Sequence, residues 1–306
     1  MPDDAFLAEW CDRYLGARPA CVLFRSGNLS QVAGAELADG RRVVIKARPS
    51  DARIAGCTAV QAHLARAGFP CPEPLSAPVE ADGLTVTAET LVAAGSQLPA
   101  ESGAAPFAAL LARLISSAPG PARVPSLAPS PPWAGWDHPG SRLWPDRDDR
   151  GRDLNSAPGP AWVDDTARRV RERLAPAVAP VRVGHGDWES QNIRWSDGTP
   201  LAVHDWDSVI AQPETAIVGL AAAVWPAAGA PGEAATVAQT AEFIARYQEA
   251  AGRQWTGQEV RDAWAAGLWV RLFNAKKDAA EGGGPQLDRL ADEISERLAL
   301  AALSDV

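Results

Sequence analysis

The chain is short of sulfur and of positive charge. Its four cysteines (Cys11, Cys21, Cys57, Cys71) lie in the first quarter of 306 residues with no pair at C-x-x-C spacing, and only four histidines accompany them. That excludes the usual zinc and redox sites, and all four are read as buried thiols. Lys and Arg total 29 against 38 Asp and Glu, a formal charge of −9. Nucleic acid and anionic membrane surfaces are therefore not expected as partners, since both need a basic face. Long apolar runs are also missing: the most apolar stretch, residues 219–230, is alanine-rich and broken by Pro226, so no membrane span is predicted. The N-terminus opens on acids rather than on basic residues followed by an apolar run, which predicts a cytoplasmic location.

What is present describes an ordinary globular protein, with 46% hydrophobic and 22% charged residues. The length predicts two domains or lobes. An amphipathic first helix (Phe6, Leu7, Trp10, Cys11, Tyr14) precedes short apolar runs at 21–24, 31–37 and 42–46, with a D-G turn at Asp39-Gly40, which reads as an antiparallel sheet. A helix over 51–67, closed by Gly68, Pro70 and Pro72, and a strand over 84–91 follow. Helices are predicted near 106–117, 162–174, 235–251, 257–279 and 286–303. Between them, six prolines fall within 119–132 and a polar, glycine-bearing stretch runs over 145–160, so this part is read as a long loop.

The chemistry concentrates in Val183-Gly184-His185-Gly186-Asp187-Trp188-Glu189-Ser190-Gln191-Asn192-Ile193 and in Val203-His204-Asp205-Trp206-Asp207. The order reads as strand, polar loop, short strand, turn at Asp197-Gly198, short strand, acidic loop. Two hairpin-linked loops could bring Asp187, Asn192 and Asp205 to one point, and such oxygen donors suit a hard cation such as magnesium together with phosphates and water.

His185-Gly186-Asp187, then Asn192 and Asp205, resembles the catalytic core of the aminoglycoside phosphotransferase and choline kinase superfamily, relatives of the protein kinases. Glycine at 186 and D-W-D at 205–207 point to its small-molecule branch. The resemblance implies an α+β, two-lobed kinase-like fold: an N-lobe over 1–92, a hinge near 89–95 and a helical C-lobe over 93–306. It implies that Asp187 orients the acceptor hydroxyl and that Asn192 and Asp205 hold Mg2+. Lys46, ending Val43-Val44-Ile45-Lys46, would meet the phosphates of ATP or GTP. Ser26, Gly27, Asn28 and Ser30 would form the loop over those phosphates, and main-chain groups of Glu89 and Leu91 would meet the base. The acceptor would be a hydroxyl of a small polar, cationic molecule, an aminoglycoside-like antibiotic being the family-level expectation. The alternatives are a metabolic sugar, choline or amino-alcohol kinase, and a nucleotide-binding pseudokinase.

Two departures bear on that choice. The helix at 51–67 should offer a glutamate to Lys46, yet its only acid is Asp51, with Cys57 or Gln61 on the likely face. Where relatives carry an aspartate after the proline matching Pro213, only Glu214 is available here to brace the catalytic loop. Trp133, Trp136 and Trp144 stand in the long loop beside Asp137, Asp146, Asp148, Asp149 and Asp153. Aromatic faces with carboxylates suit a cationic ligand, so Trp133, Trp136, Asp137 and Asp149, with Asp207, are the candidate substrate contacts. The competing reading is a loop pinned to the body by its tryptophans. No surface stripe reads as an interface, and the oligomeric state stays open.

Overall fold

In a computed structural model, residues 3–27, 29–175, 179–230 and 232–304 are described. The expected α+β architecture is present. Strands β1 (Pro19–Gly27), β2 (Gln31–Leu37), β3 (Arg42–Pro49), β4 (Val79–Ala81) and β5 (Leu84–Thr90) form one antiparallel sheet in the order β1-β2-β3-β5-β4. Helix α1 (Asp4–Leu15) is started by Asp3, whose side chain accepts from the Phe6 N–H, and ended by Gly16 at φ +76°. Its stripe of Leu7, Trp10, Cys11 and Leu15 covers one sheet face, against Ala33, Ala35, Ile45, Ala47, Val86 and Ala88. Pleating sends Lys46 to the opposite face.

One expectation for this region is corrected. Of the four cysteines read as buried, Cys71 is only half-buried and Cys21 is exposed, the latter because β1 is an edge strand and residues 21–24 are all exposed. Helix α2 (Ile54–Arg66) sends Cys57, Val60 and Leu64 into the larger hydrophobic cluster, not into the sheet's.

That larger cluster is built by α3 (Ala105–Ser117), α4 (Ala161–Leu174), α5 (Glu214–Val224), α6 (Val237–Ala251), α7 (Gly257–Ala280) and α8 (Pro285–Leu300). Residues 215–224 of α5 are all buried, as an apolar helix without a polar face must be. It crosses α7 at very short range: a Cβ on Gly219 would lie 2.0 Å from the Ala263 carbonyl oxygen. Both α6 and α7 begin with a capping box, Thr236 with Gln239 and Thr256 with Glu259. The long loop is held by its tryptophans. Trp144 is buried, its ring centroid 5.1 Å from that of Trp269, and its Nε1 donates to Asp164. Loop residues thus enter the helical core, because the loop lies across α7 and α4.

Two small ribbons complete the site's scaffold. Strand β6 (Val181–His185) pairs with β9 (Val209–Pro213), and β7 (Ile193–Ser196) pairs with β8 (Thr199–Val203). The segment after β5 is tied to the second ribbon by reciprocal bonds, Ser96 N–H to Trp195 O at 3.0 Å and Trp195 N–H to Ser96 O at 2.8 Å.

Candidate active site

The β6–β7 loop carries Asp187 and Asn192, and the β8–β9 loop carries Asp205 and Asp207. Both loops leave the same end of the paired ribbons and are cross-linked by main chain: Gly186 N–H donates to Ser208 O at 2.7 Å and His204 N–H to Asn192 O at 2.8 Å. His185 locks the junction. It is fully buried, one ring nitrogen lies 3.0 Å from the His204 carbonyl, and the other accepts from the Asp187 N–H at 3.2 Å. Those contacts require the neutral ring with its proton on Nε2.

Burial pushes the His185 pKa down to about 4. The unfolded chain therefore takes up a proton that the folded chain refuses. The stability His185 contributes is complete above its ordinary value of 6.5 and drains away as pH falls toward 4. The full shift corresponds to about 3 kcal/mol. We expect the urea midpoint to fall between pH 7 and pH 4.5, and the fall to be clearly shallower in His185→Asn; parallel pH profiles would contradict this role.

Asp187 receives the Asn192 amide, Nδ2 to Oδ2 at 2.9 Å and to the main-chain oxygen at 3.0 Å. Burial, followed by the charges of Glu189 and Asp205, raises its pKa well above the usual carboxylate range. Asp205 sits at φ +65°, a left-handed conformation that Asp tolerates better than most residues. This is the kind of local strain found where a side chain must be aimed. Ser208 Oγ donates to its carboxylate at 3.1 Å. Burial and the neighbouring Asp207 push its pKa up to about 7. Asp207 goes the other way. Burial opposes its charge, but Arg48, at 3.5 Å, and Lys46 hold its pKa below the ordinary value.

Lys46 faces these loops from β3. Its ammonium lies 3.2 Å from Glu89 Oε1, and Gln61 Nε2 of α2 donates to Glu89 Oε2 at 2.9 Å. The carboxylate that pairs with Lys46 thus comes from β5, not from the helix. Burial disfavours the ammonium, yet Glu89, Asp207 and Asp205 together raise its pKa.

The other predicted residues are distributed as follows. Ser26 and Gly27 end β1 and are exposed, Asn28 lies outside the described residues, and Ser30 Oγ stands 3.4 Å from Asp207. The Leu91 N–H is spent on Arg42 O at 2.9 Å, an extension of the β3–β5 ladder, so it is not open to a base. Trp133 reaches the β6–β7 loop, its Nε1 donating to Gly186 O at 2.9 Å. Trp136 does not: it is buried, and Gln212 gathers both it and Asp137, away from Asp187. Asp149 pairs with Lys277 at 2.6 Å. Glu214 accepts from Tyr247 and Arg253 rather than bracing the loop, which is supported instead by Ser190 N–H to Trp225 O and Gln191 N–H to Ala227 O.

Two contributors, Arg53 and Arg48, escaped the sequence reading. Arg53 donates to Asp207 O at 2.7 Å and Val209 O at 2.6 Å, clasping the acidic loop to the start of α2. Arg48 neutralises Asp207. An arginine near a helix start and another near a strand end have no distinguishing sequence pattern, and only the fold gives them partners. Glu189 sits beside Asp187 with its pKa pushed up to about 7, mainly by burial.

Among the described residues no three His, Cys, Asp or Glu side chains form a ready metal cluster. Asp207 Oδ1, however, is buried without a hydrogen-bond partner, and Asp205 lies beside it. Two carboxylates and a carboxamide, completed by phosphates and water, match the way a hard divalent cation is held, so the residues fit such an ion.

Solved structures share this fold along nearly the whole chain. An amicoumacin kinase in complex with AMP-PNP, Ca2+ and Ami superposes with TM-score 0.65 at 12% identity, covering 94% of this chain and 89% of that one. A thermostable mutant of the aminoglycoside phosphotransferase APH(4)-Ia, in ternary complex with ADP and hygromycin B, gives 0.59 at 16%, covering 98% and 99%. A putative fructosamine-3-kinase from Thermobifida fusca gives 0.54 at 17%, covering 96% and 98%. No match was found among curated proteins. The sequence profile of the phosphotransferase enzyme family matches residues 21–264, and the chain accordingly belongs to that family of kinases.

Proposed function

We propose that the protein transfers the γ-phosphate of ATP to a hydroxyl of a small polar, cationic acceptor, with magnesium as its metal. The observation that carries this is that Asp187, Asp205 and Asp207 lie near enough to shift one another's charge, with Lys46 in the field of Asp205 and Asp207 and Asp187 held by the Asn192 amide. Lys46 would bind the nucleotide phosphates, and Ser26, Gly27 and Ser30 would cover them. Asn192, whose nitrogen is spent on Asp187, would offer its oxygen to the metal together with Asp205 and Asp207. When bound, magnesium would neutralise charge on the transferred phosphoryl group. Asp187 would then accept the hydrogen bond of the acceptor hydroxyl, hold its oxygen in line and take its proton as the new bond to the γ-phosphorus forms and the bond from that phosphorus to the β,γ-bridging oxygen breaks, with ADP leaving. The division into lobes at residues 92 and 93, with a base-binding hinge between them, is part of this proposal. The Lys46–Glu89 pair weighs against the pseudokinase alternative, because the lysine has its carboxylate partner.

The charge of the acceptor follows from which acids remain free. Much of the loop's negative charge is matched internally, Asp148 by Arg152, Asp149 by Lys277 and Asp153 by Arg142. Glu189 and Asp187 are adjacent to the reacting point, and Glu233 adds to the field at Glu189. A cation would be drawn in and an anion repelled. Transfer from labelled ATP to a panel of aminoglycosides, amino alcohols, sugars and hydroxy acids should favour amine-bearing acceptors. Their kcat/KM should fall as rising salt shortens the Debye length to about 8 Å. A neutral or acidic acceptor with salt-insensitive kinetics would defeat the cationic assignment. Bound nucleotide with no transfer to any acceptor and no magnesium-dependent hydrolysis would favour the pseudokinase.

A further inference from the structure

We propose that Glu89 of β5 is the positioning residue for Lys46, with Gln61 of α2 as its neutral bracket, so that the phosphate-binding lysine is aligned by the sheet itself. The inference rests on the functional reading above and extends it to what Glu89 and Gln61 do for Lys46.

The register explains why this works. On the β3–β5 ladder Val44 faces Glu89 and Lys46 faces Thr87, so Lys46 and Glu89 are diagonal neighbours on one sheet face, a separation that long side chains bridge. Both are largely shielded, with side-chain exposures of 13% and 9%. Each Glu89 oxygen has one partner, Oε1 the ammonium and Oε2 the Gln61 amide, and Gln61 is itself fixed by donating to Pro72 O at 2.9 Å. The carboxylate therefore has little freedom to swing away.

Helix α2 has no acid between Ile54 and Arg66 to take over the task. It is fastened elsewhere, through Arg53 to the carbonyls of Asp207 and Val209. A Cβ on Gly56 would strike the Pro125 carbonyl oxygen at 2.6 Å, so the helix is also packed tightly on the 125–127 segment. Its docking is thus separate from the charge that aligns Lys46. Without Glu89, the carboxylates remaining around Lys46 would be Asp205 and Asp207, with Arg48 as the opposing cation, and the two acids would draw the ammonium toward the metal-holding loop. A reacting group displaced by about 1 Å can cost on the order of 10²-fold in rate.

The test uses the full chain in four forms: wild type, Glu89→Gln, Gln61→Glu/Glu89→Gln and Lys46→Ala. Glu89→Gln should lower kcat by about 10²-fold and leave the dissociation constant of a fluorescent ADP analogue within about fivefold, since a displaced lysine still attracts phosphate. The double variant moves the carboxylate across the same hydrogen bond onto α2 and should recover most of the lost kcat. A merely structural role for Glu89 would not be rescued this way. Independent of turnover, mass spectrometry after brief acetylation at pH 8.5 should show Lys46 modified several-fold faster in Glu89→Gln and back near the wild-type rate in the double variant, because an adjacent carboxylate keeps the amine protonated. Should Glu89→Gln melt too low to assay, Glu89→Asp keeps the charge but retracts it, and the same kcat loss in smaller measure is expected. Wild-type kcat in Glu89→Gln or Glu89→Asp, with Lys46→Ala inactive, overturns the inference alone. Absence of transfer and hydrolysis in the wild type overturns the functional reading, and the acetylation rates then decide the inference: unchanged rates refute it.

Discussion

Asp205→Asn should lower phosphate transfer by at least about 10³-fold, the scale on which losing a charged metal donor removes transition-state stabilisation. The fold should survive. Asn is the other residue that readily accepts the left-handed conformation that Asp205 adopts at φ +65°, and its carbonyl oxygen can still receive the Ser208 hydroxyl now bonded to the carboxylate. Removing the charge also relieves the repulsion with Asp207 that, together with burial, holds the Asp205 pKa near 7. The metal-free variant should therefore melt no lower than the wild type. The wild type should gain thermal stability from magnesium with a nucleotide, as any ligand of the native state provides, and the variant should lose most of that gain. Unchanged transfer, or an undiminished stabilisation by magnesium and nucleotide, would remove Asp205 from the metal site.

The sequence made the two loops that carry Asp187 and Asp205 readable because their residues lie close together in the chain. Asp187 and Asn192 are five apart and share one loop, and a β-hairpin returns the chain to Asp205, so geometry follows from local connectivity. The D-G turn at Asp39-Gly40 and the C-terminal helices are local in the same way. What stayed hidden depends on contacts between distant segments. The missing helix glutamate was legible, yet its replacement by Glu89 required the β3–β5 register, 43 residues apart in the chain. Arg53 meets the acidic loop across more than 150 residues. The loop tryptophans follow the same rule. Trp133 and Trp136 are three residues apart, and a local pattern treats them alike, but one reaches Gly186 while the other turns into the core toward Gln212. Internal pairing of the loop acids was equally invisible, since composition counts charges without showing which of them already has a partner.

Asp187→Asn should produce a defect of a different kind from that of Asp205→Asn. The Asn192 amide now donates to Asp187 Oδ2 and to its main-chain oxygen. An Asn at 187 keeps the main-chain bond and one side-chain acceptor, so the loop should hold its shape. What disappears is the group able to take the acceptor's proton, and general-base catalysis of this sort contributes about 10²- to 10⁴-fold. The kcat for the acceptor should fall by that amount. KM for ATP should change by no more than about twofold, because a residue facing the hydroxyl contributes little to holding the nucleotide in the ground state. Asp187 also stands in mutual repulsion with Glu189 and Asp205. Neutralising it should therefore leave the apo protein at least as stable as the wild type, which a thermal melt reads directly. The combination sought is an intact fold, near-normal nucleotide KM and a collapsed kcat. An unaltered kcat would reduce Asp187 to a turn-forming residue. A rise in nucleotide KM equal to the loss in kcat would place it on the phosphate side of the cleft, next to Lys46.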